Sequence, residues 1–233
     1  MRLIFLVLFS FCVNGSAHAI SDEELMPTLH VSTFKSAKIS KRYKKLLTFA
    51  YNQLGYRIQF HEMVAGRALK MIKENQLDAL MIQTSTFMKY EDLPVLQIPI
   101  VLGKGKLILF CNKGLPCNKA VLQKPDNIIA APQSTLGLKA DFLKMKASSY
   151  EIGQKESAGK MFELGRVDYL IEITEDSMGN LGGIDEKKYG QVELATLEGF
   201  HYIHKKHEKL IPQLSAAIAL YIEEYDPSFK FER

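Results

Sequence analysis

The sequence lacks the residue patterns by which many enzymes are recognised. Its 233 residues contain no glycine-rich phosphate loop, no nucleophile paired with a base, and no cluster of Cys, His and carboxylate residues at metal-ligand spacing. It also has no low-complexity tract, so disorder is not expected outside the two ends. These absences argue against nucleotide-dependent and metal-dependent catalysis, and we expect no cofactor.

A strong excess of charge is also missing. The chain has 30 Lys and Arg against 26 Asp and Glu, and removing Arg2 with the leader described below leaves a net charge of +3. That value gives little support to nucleic acid as a partner. Beyond the amino terminus, no apolar stretch is long enough to cross a bilayer.

The amino terminus has the composition of a secretory leader. Arg2 provides a positive start, "LIFLVLFSFCV" is apolar, and Ala17–Ala19 offers small residues before a cleavage point. We therefore expect residues 1–19 to be a signal peptide, cleaved near Ala19 on export to the periplasm. The alternative is an uncleaved anchor.

Cysteine is scarce, and only two cysteines lie outside the leader. Cys111 and Cys117 flank a Gly-Leu-Pro turn in "CNKGLPCN". An oxidising compartment and an even count favour a disulfide between them. Two free thiols or half of a metal site are the alternatives.

What the chain does contain is an alternation of strand and helix patterns. Short β-rich runs at residues 29–34, 56–63 and 77–84 alternate with helical patterns at 39–54 and 66–76, which predicts crossovers and a parallel sheet. A second unit follows, with strand patterns at 127–132, 150–154 and 167–174 and helical patterns at 134–145 and 157–165.

One helix-to-strand connection, called a joint below, occurs twice in the sequence. "KMIKENQLDALMI" begins at residue 70 and "KMFELGRVDYLIE" at residue 160. Asn75 and Gly165 suit the left-handed turn after a helix, and Asp78 and Asp168 precede strands, where we expect local caps or ion pairs rather than catalysis. The repeat predicts two lobes of the same construction.

These phrases, with "LHVSTF", "NIIAAPQSTLG" and "HYIHKKHEKLIPQLSAAI", resemble the type II periplasmic solute-binding proteins of the amino-acid-binding-like family (substrate-binding family 3 of ABC transporters). The resemblance covers nearly all of the chain after the leader. It implies an α/β, two-lobed fold with a hinge and an interlobe cleft. The expected division is 20–104 for lobe 1, 105–196 for lobe 2 and 197–233 for the return to lobe 1.

The resemblance also implies a mechanism. Two segments, near Gly103–Leu109 and Ala195–Gly199, would cross between the lobes and let them close on a ligand. The ligand would lie beyond the carboxyl ends of the strands.

Two loops supply candidate contacts. Ser134 and Thr135 lie where a strand runs into a helix, and the free N–H groups of a helix start favour a carboxylate or phosphate. Ser134 as a simple helix cap is the alternative. By the resemblance, Gln83 and Ser85 match hydroxyl-contact positions. The place of the family's carboxylate-binding Arg falls on Lys89 or Tyr90, which puts a standard α-amino acid in doubt.

Three further residues complete the predicted ligand site. Arg67 lies near the positive start of a helix, which hints at an anionic partner, although it could merely be solvated. Phe34 follows the first strand, where the family often stacks an aromatic ring on its ligand; a core Phe is the alternative. Glu172 lies close to the family's position for an acid that receives a ligand amine.

The leading hypothesis is therefore that the protein captures a small polar or anionic solute, amino-acid-like or a carboxylate, and does not catalyse a reaction. We expect it to be a monomer that delivers the solute to an ABC transporter permease or a membrane sensor. An enzyme of the cyclic-acid dehydratase type, using Glu172 or His61, is one alternative. An exported interaction module without ligand is the other. His201, His204 and His207 invite a metal hypothesis, which we disfavour because no carboxylate or Cys clusters with them.

Overall fold

The computed structural model describes residues 26–34, 37–85, 92–132, 143–152, 155–175, 179–180 and 184–229. Ten strands and four α-helices lie in these ranges, joined by short 3-10 helices. In chain order they are β1 (Thr28–Thr33), α1 (Ala37–Gln53), β2 (Arg57–Glu62), α2 (Ala65–Lys73), β3 (Ala79–Thr84), β4 (Val95–Gln97), β5 (Gly103–Cys111), β6 (Ile128–Pro132), β7 (Ser148–Ile152), α3 (Lys155–Glu163), β8 (Tyr169–Glu175), β9 (Gly179–Asn180), β10 (Gly190–His204) and α4 (Ile211–Glu224).

The first lobe is built around β1. This strand pairs in parallel with β2 on one side and with β3 on the other. Helices α1 and α4 pack together, and their apolar residues share a core with β1 and β3. Helix α2 contributes to a second cluster together with Leu80 and Phe200. The parallel arrangement predicted from the strand and helix alternation is thus confirmed for this lobe.

The second lobe repeats the arrangement with β6 at its centre. Strand β6 pairs in parallel with β7 and with β8. Phe162 of α3 lies in one cluster with Phe110 and Leu170, while Leu109, Ile129 and Ile171 belong to a separate cluster. The second lobe therefore has apolar clusters that are distinct from those of the first.

Two long antiparallel strands, β5 and β10, join the halves. They pair over the whole of β5, from Gly103 opposite Gly199 to Cys111 opposite Gly190. Strand β10 also pairs with β3 of the first lobe, and β5 pairs with β8 of the second, so one curled sheet has the order β2-β1-β3-β10-β5-β8-β6-β7. The runs "QVELATL" (191–197) and "FHYIHKK" (200–206) each have a strand pattern and predict two separate strands, and this prediction is wrong. Residues 190–204 form one strand, in which two register shifts accommodate the curl.

Both repeated joints adopt the predicted backbone. Asn75 has φ 60° and Gly165 has φ 67°, the left-handed conformation that ends a helix. The two aspartates that follow have different surroundings, because Asp78 is buried in a polar network and Asp168 is exposed. The equivalent positions of the two aspartates therefore reflect the common construction of the two lobes and not a common set of contacts.

The predicted disulfide between Cys111 and Cys117 is present, with Cα atoms 5.7 Å apart. It lies against the start of β10. A Cβ on Gly190 would lie 3.1 Å from both the Cβ and the Sγ of Cys117, so this position has room only for glycine unless its neighbours shift. In the ranges described above, no helix combines the length and apolarity that a membrane crossing requires.

Candidate functional site

Three predicted ligand-binding residues lie at one edge of the first lobe. Phe34 follows β1, and Gln83 and Ser85 lie at and just after the end of β3, the parallel strand beside it. Gln83 and Ser85 are half-buried. The Phe34 ring is half-buried too and packs against the core of the lobe, so part of it is used for packing. The carboxyl ends of parallel strands are where α/β sheets bind ligands.

A pair of hydroxyl groups fixes the backbone beside Phe34. Ser40 Oγ donates a hydrogen bond to the Phe34 carbonyl at 2.8 Å and lies 3.2 Å from Thr33 Oγ1. Both hydroxyl side chains are buried. Sequence reasoning did not identify this pair, because Ser40 reads as an ordinary polar residue of a helix.

Arg67 lies in the first turn of α2 and is exposed. Helix α2 starts just after β2 and has no acidic residue in its first turn. Among the described residues, no carboxylate forms an ion pair with Arg67. A cation next to the positive end of a helix is unfavourable unless an anion accompanies it.

Glu172 is fully buried in β8, on the face that carries Leu170 and Thr174. One carboxylate oxygen accepts a hydrogen bond from the Ile173 backbone N–H at 3.1 Å. Since Ala130 pairs with Leu170, the parallel register brings Glu172 level with Pro132, where β6 ends. Glu172 is thus a buried carboxyl group near the carboxyl edge of the second lobe.

Strand β10 has a close packing contact where the lobes join. Gly199 lies opposite both Gly103 of β5 and Thr84 of β3. A Cβ at this position would lie 2.7 Å from Cδ1 of Ile82. The segments predicted to cross between the lobes, near Gly103–Leu109 and Ala195–Gly199, therefore run side by side and meet β3 at this point.

Other predicted residues fall outside the described ranges. They are the contacts Lys89, Ser134 and Thr135 and the leader at 1–19. The predicted lobe boundaries after residues 104 and 196 fall within β5 and β10.

The three histidines near the end of β10 have different partners. His201 is buried: its Nδ1 donates to the Met81 carbonyl at 3.1 Å, and its Nε2 accepts from the Tyr51 hydroxyl at 2.8 Å. Burial lowers the pKa of His201 to about 4, so the ring is neutral at pH 7. His204 caps the following 3-10 helix by accepting the Lys206 N–H, whereas His207 Nε2 lies 2.7 Å from Asp78 Oδ1. Side chains that point to different partners do not form a common metal site.

Asp78 organises a polar network at the start of β3. It accepts the His30 backbone N–H at 2.7 Å and forms an ion pair with Lys206 at 2.9 Å as well as contacting His207. Partial burial opposes ionisation, but these hydrogen bonds outweigh it and lower the pKa of Asp78. The predicted ion pair is confirmed for this aspartate, and its partners are distant in the sequence. The network ties the segment after β10 to β1 and β3.

His61, the residue named with Glu172 for an enzymatic alternative, lies next to His30. Its Nε2 is 2.9 Å from His30 Nδ1, across the pair of β1 and β2. Desolvation and the neighbouring His30 lower the pKa of His61. Of the residues that the structure describes, no group of three or more His, Cys, Asp or Glu side chains is arranged to hold a metal ion.

No protein-family model matches the chain, and no curated protein matches it by sequence. Solved structures do resemble it. The ancestral amino-acid-binding protein AncCDT-1, a precursor of cyclohexadienyl dehydratase, has a TM-score of 0.64 at 16% identity, covering 89% of this chain and 96% of that one. A truncated, arginine-bound ArgBP from T. maritima has a TM-score of 0.61 at 13% identity, with coverages of 86% and 99%. A double mutant of the BvgS VFT2 domain from Bordetella pertussis has a TM-score of 0.60 at 10% identity, with coverages of 91% and 96%.

These similarities establish the fold. The chain has the two-lobed architecture of type II periplasmic solute-binding proteins, as the resemblance of its sequence implied.

Proposed function

We propose that this protein is exported and captures a small polar or anionic solute, amino-acid-like or a carboxylate, between its two lobes. The main support is the fold itself, combined with the positions of Phe34, Arg67, Gln83 and Ser85 at the carboxyl edge of the first lobe. The captured solute is delivered to an ABC transporter permease or presented to a membrane sensor. The protein acts as a monomer and needs no cofactor.

The chemistry of the ligand follows from the charges at this edge. Arg67 is exposed, and in the described part of the chain it has no carboxylate partner, so it is available to an anionic group. Gln83 and Ser85 offer donors and acceptors, and the exposed part of the Phe34 ring offers an apolar surface. From the second lobe, the buried carboxyl group of Glu172 would accept a ligand amine. A ligand bound by both lobes favours the closed state because only that state forms both sets of contacts.

A binding experiment tests the proposal. We expect isothermal titration to detect at least one ligand among amino acids, dicarboxylates and short peptides. Arg67→Ala should weaken its binding about tenfold or more, because a hydrogen bond to a charged group contributes about 1.5–3 kcal/mol. Arg57→Ala is the matched control, since Arg57 is an exposed arginine at the opposite end of β2. A folded protein that binds none of these compounds would overturn the proposal.

One observation supports an enzymatic alternative. A structural neighbour is named as a precursor of a dehydratase, and Glu172 is a buried carboxyl group of the kind that acid–base catalysis uses. The variant Glu172→Gln separates the two functions. If the protein is a binding protein, this variant changes affinity and no turnover of cyclic carboxylic acids is seen in either form. Turnover by the native chain that Glu172→Gln abolishes, with binding retained, would favour the enzyme.

Export is tested separately from binding. We expect the protein recovered from the periplasm to begin close to Ile20, as measured by intact mass. Retention of residues 1–19 in the exported protein would indicate an anchor instead.

A further inference from the structure

The positive charge of this protein is concentrated in one segment. Residues 28–61 cover β1, α1 and all of β2 except its last residue, Glu62, and they contain seven Lys and Arg and no Asp or Glu. Subtracting them from the whole chain leaves 23 Lys and Arg against 26 Asp and Glu. The net positive charge of the chain therefore comes entirely from this segment.

The fold presents part of that charge to solvent along α1. Lys41 and Lys45 are one helical turn apart and both are exposed. Lys44 is half-buried, with its Nζ 5.5 Å from the centre of the Phe60 ring. No ion pair involves any of these three lysines in the part of the chain that the structure describes. Within the described ranges, their charges are therefore not neutralised.

Aromatic rings border the same helix. Phe49, one turn beyond Lys45, lies 5.3 Å from the Tyr221 ring and 5.0 Å from the Tyr225 ring of the α4 segment. Tyr225 is 64% exposed. We call Lys41, Lys45, Phe49, Tyr221 and Tyr225 the basic-aromatic face.

Acidic groups near this face are few and lie on α4 or just after its end. Asp226 is engaged by Arg42, 3.8 Å away, and Arg42 also donates to Ser228. Glu223 and Glu224 are exposed in the last turn of α4. The α1 side of the face is thus purely basic, while the α4 side combines aromatic rings with two carboxylates.

We propose that the basic-aromatic face binds peripherally to the surface of an anionic phospholipid membrane. Lysines near such a surface are attracted by its negative potential, by about 1 kcal/mol each. Exposed tyrosine rings, with an apolar body and a polar tip, favour the headgroup level of a bilayer. The face supplies both groups on one side of the first lobe.

A membrane fits this surface better than an acidic protein does. Lys41 and Lys45 lie on the exposed side of α1, and near them Tyr225 is exposed while Phe49 and Tyr221 are half-buried. Attraction to a fluid anionic surface needs no shape complementarity, whereas a protein interface does. The inference does not depend on the identity of the cleft ligand.

Co-sedimentation with lipid vesicles tests this inference. We expect the exported protein, with its amino terminus established by intact mass, to bind vesicles of phosphatidylglycerol mixed with phosphatidylcholine at low salt. Binding to pure phosphatidylcholine should be much weaker. The double variant Lys41→Gln, Lys45→Gln should reduce the partition coefficient about 25-fold, since about 1 kcal/mol per lysine corresponds to about fivefold.

Two further variants make the test specific. Lys124→Gln, Lys160→Gln removes the same charge from exposed positions of the second lobe and should leave vesicle binding nearly unchanged. Tyr225→Ser should weaken binding without changing its dependence on salt, because it removes an aromatic ring and no charge. Equal loss in both lysine double variants would overturn the proposal, since binding would then follow net charge alone. Failure of the native protein to bind anionic vesicles, including a case in which it binds an acidic protein instead, would also overturn it.

Discussion

A neutral histidine lies in the core of the first lobe, and both of its ring nitrogens are used. His201 accepts a hydrogen bond from Tyr51 and donates one to the Met81 carbonyl. Burial raises the pKa of Tyr51, so its hydroxyl remains protonated and acts as the donor. This assignment fixes the tautomer of His201, with the proton on Nδ1.

The Tyr51 hydroxyl can be tested by removing it alone. Tyr51→Phe leaves the buried Nε2 of His201 without its donor, so we expect the free energy of unfolding to fall by about 1–3 kcal/mol. Urea unfolding monitored by circular dichroism measures this change. Tyr56→Phe is the control, because Tyr56 is only half-buried and should change stability by less than about 0.5 kcal/mol. Equal effects of the two substitutions would contradict the assigned hydrogen bond.

Single residues were predictable where local backbone geometry decides their role. Asn75 and Gly165 were identified because few residues tolerate positive φ after a helix. The partners of His201 and Asp78 were not predictable. They come from residues far apart in the chain, such as His201 and Tyr51 at a separation of 150 positions. Only the folded arrangement brings such groups together.

The disulfide links the last residue of β5 to the loop that follows this strand. It closes a loop in which the two cysteines are 6 positions apart, and Cys111 is fully buried. A loop of this length corresponds to about 2 kcal/mol of stabilisation in the chain-entropy model. We expect Cys111→Ala, Cys117→Ala to lower the free energy of unfolding by about that amount, measured in urea. Adding a reductant should destabilise the native protein and leave the double variant unchanged; a response of both proteins would show that the effect has another source.

Gly199 provides a second test, on β10. Gly199→Ala would bring its Cβ to 2.7 Å from Ile82 Cδ1, so the neighbouring side chain has to move. We expect a loss of about 1–3 kcal/mol in the free energy of unfolding, as is usual for overpacking. Adding Ile82→Val removes the clashing Cδ1 atom.

The informative measurement is the double-mutant cycle. We expect the combined variant to be more stable than the sum of the two single losses predicts, because the second substitution relieves the strain of the first. Strict additivity would indicate that Gly199 is required for backbone reasons unrelated to Ile82.

Strand β10 also shows where sequence patterns fail at the scale of elements. Glu198 and Gly199 interrupt the apolar run, which makes 190–204 resemble two strands. The structure keeps one strand because β3 and β5 both pair with Gly199, and from there β5 continues the pairing toward Gly190 while β3 continues it toward Ile203. Pairing with two adjacent strands can keep a residue such as Gly199 in a strand even though its residue type disfavours that conformation.

At the scale of the whole molecule, the two-lobed fold was predictable and the ligand was not. The fold follows from the period of helices and strands and from a joint that occurs twice, and both are local features. The ligand depends on the few side chains at the strand ends. Of the eight ligand-binding residues predicted, Phe34, Arg67, Gln83, Ser85 and Glu172 can be located, and their types specify charge and polarity rather than a compound.

Proton binding couples the histidines to global stability. Burial and nearby cations lower the pKa of His204. Desolvation and the neighbouring His30 lower the pKa of His61. Burial lowers the pKa of His201 to about 4. In the unfolded chain each of these side chains titrates near pH 6.5. Between pH 6.5 and the lower pKa values of the folded protein, the histidines bind protons in the unfolded chain but not in the folded protein. Stability is therefore highest above about pH 6.5 and falls as the pH drops toward about 4.

The magnitude for His201 follows from its shift. A difference of about 2.5 pKa units corresponds to about 3 kcal/mol lost at the acid end of this range. Asp78 contributes in a different window: its lowered pKa gives stability that is present above about pH 4 and is lost only below it. Acid destabilisation between pH 6.5 and 4.5 should thus come from the histidines, and urea midpoints measured across this range should decrease steadily.

A single variant isolates the contribution of His201. His201→Gln keeps a polar side chain but removes the titrating ring, so we expect lower stability at pH 7.5 together with a shallower decrease on acidification. As a result, the curves of the native and variant proteins should converge toward pH 4.5. Parallel curves would mean that His201 has the same proton affinity in the folded and unfolded states, contrary to its complete burial.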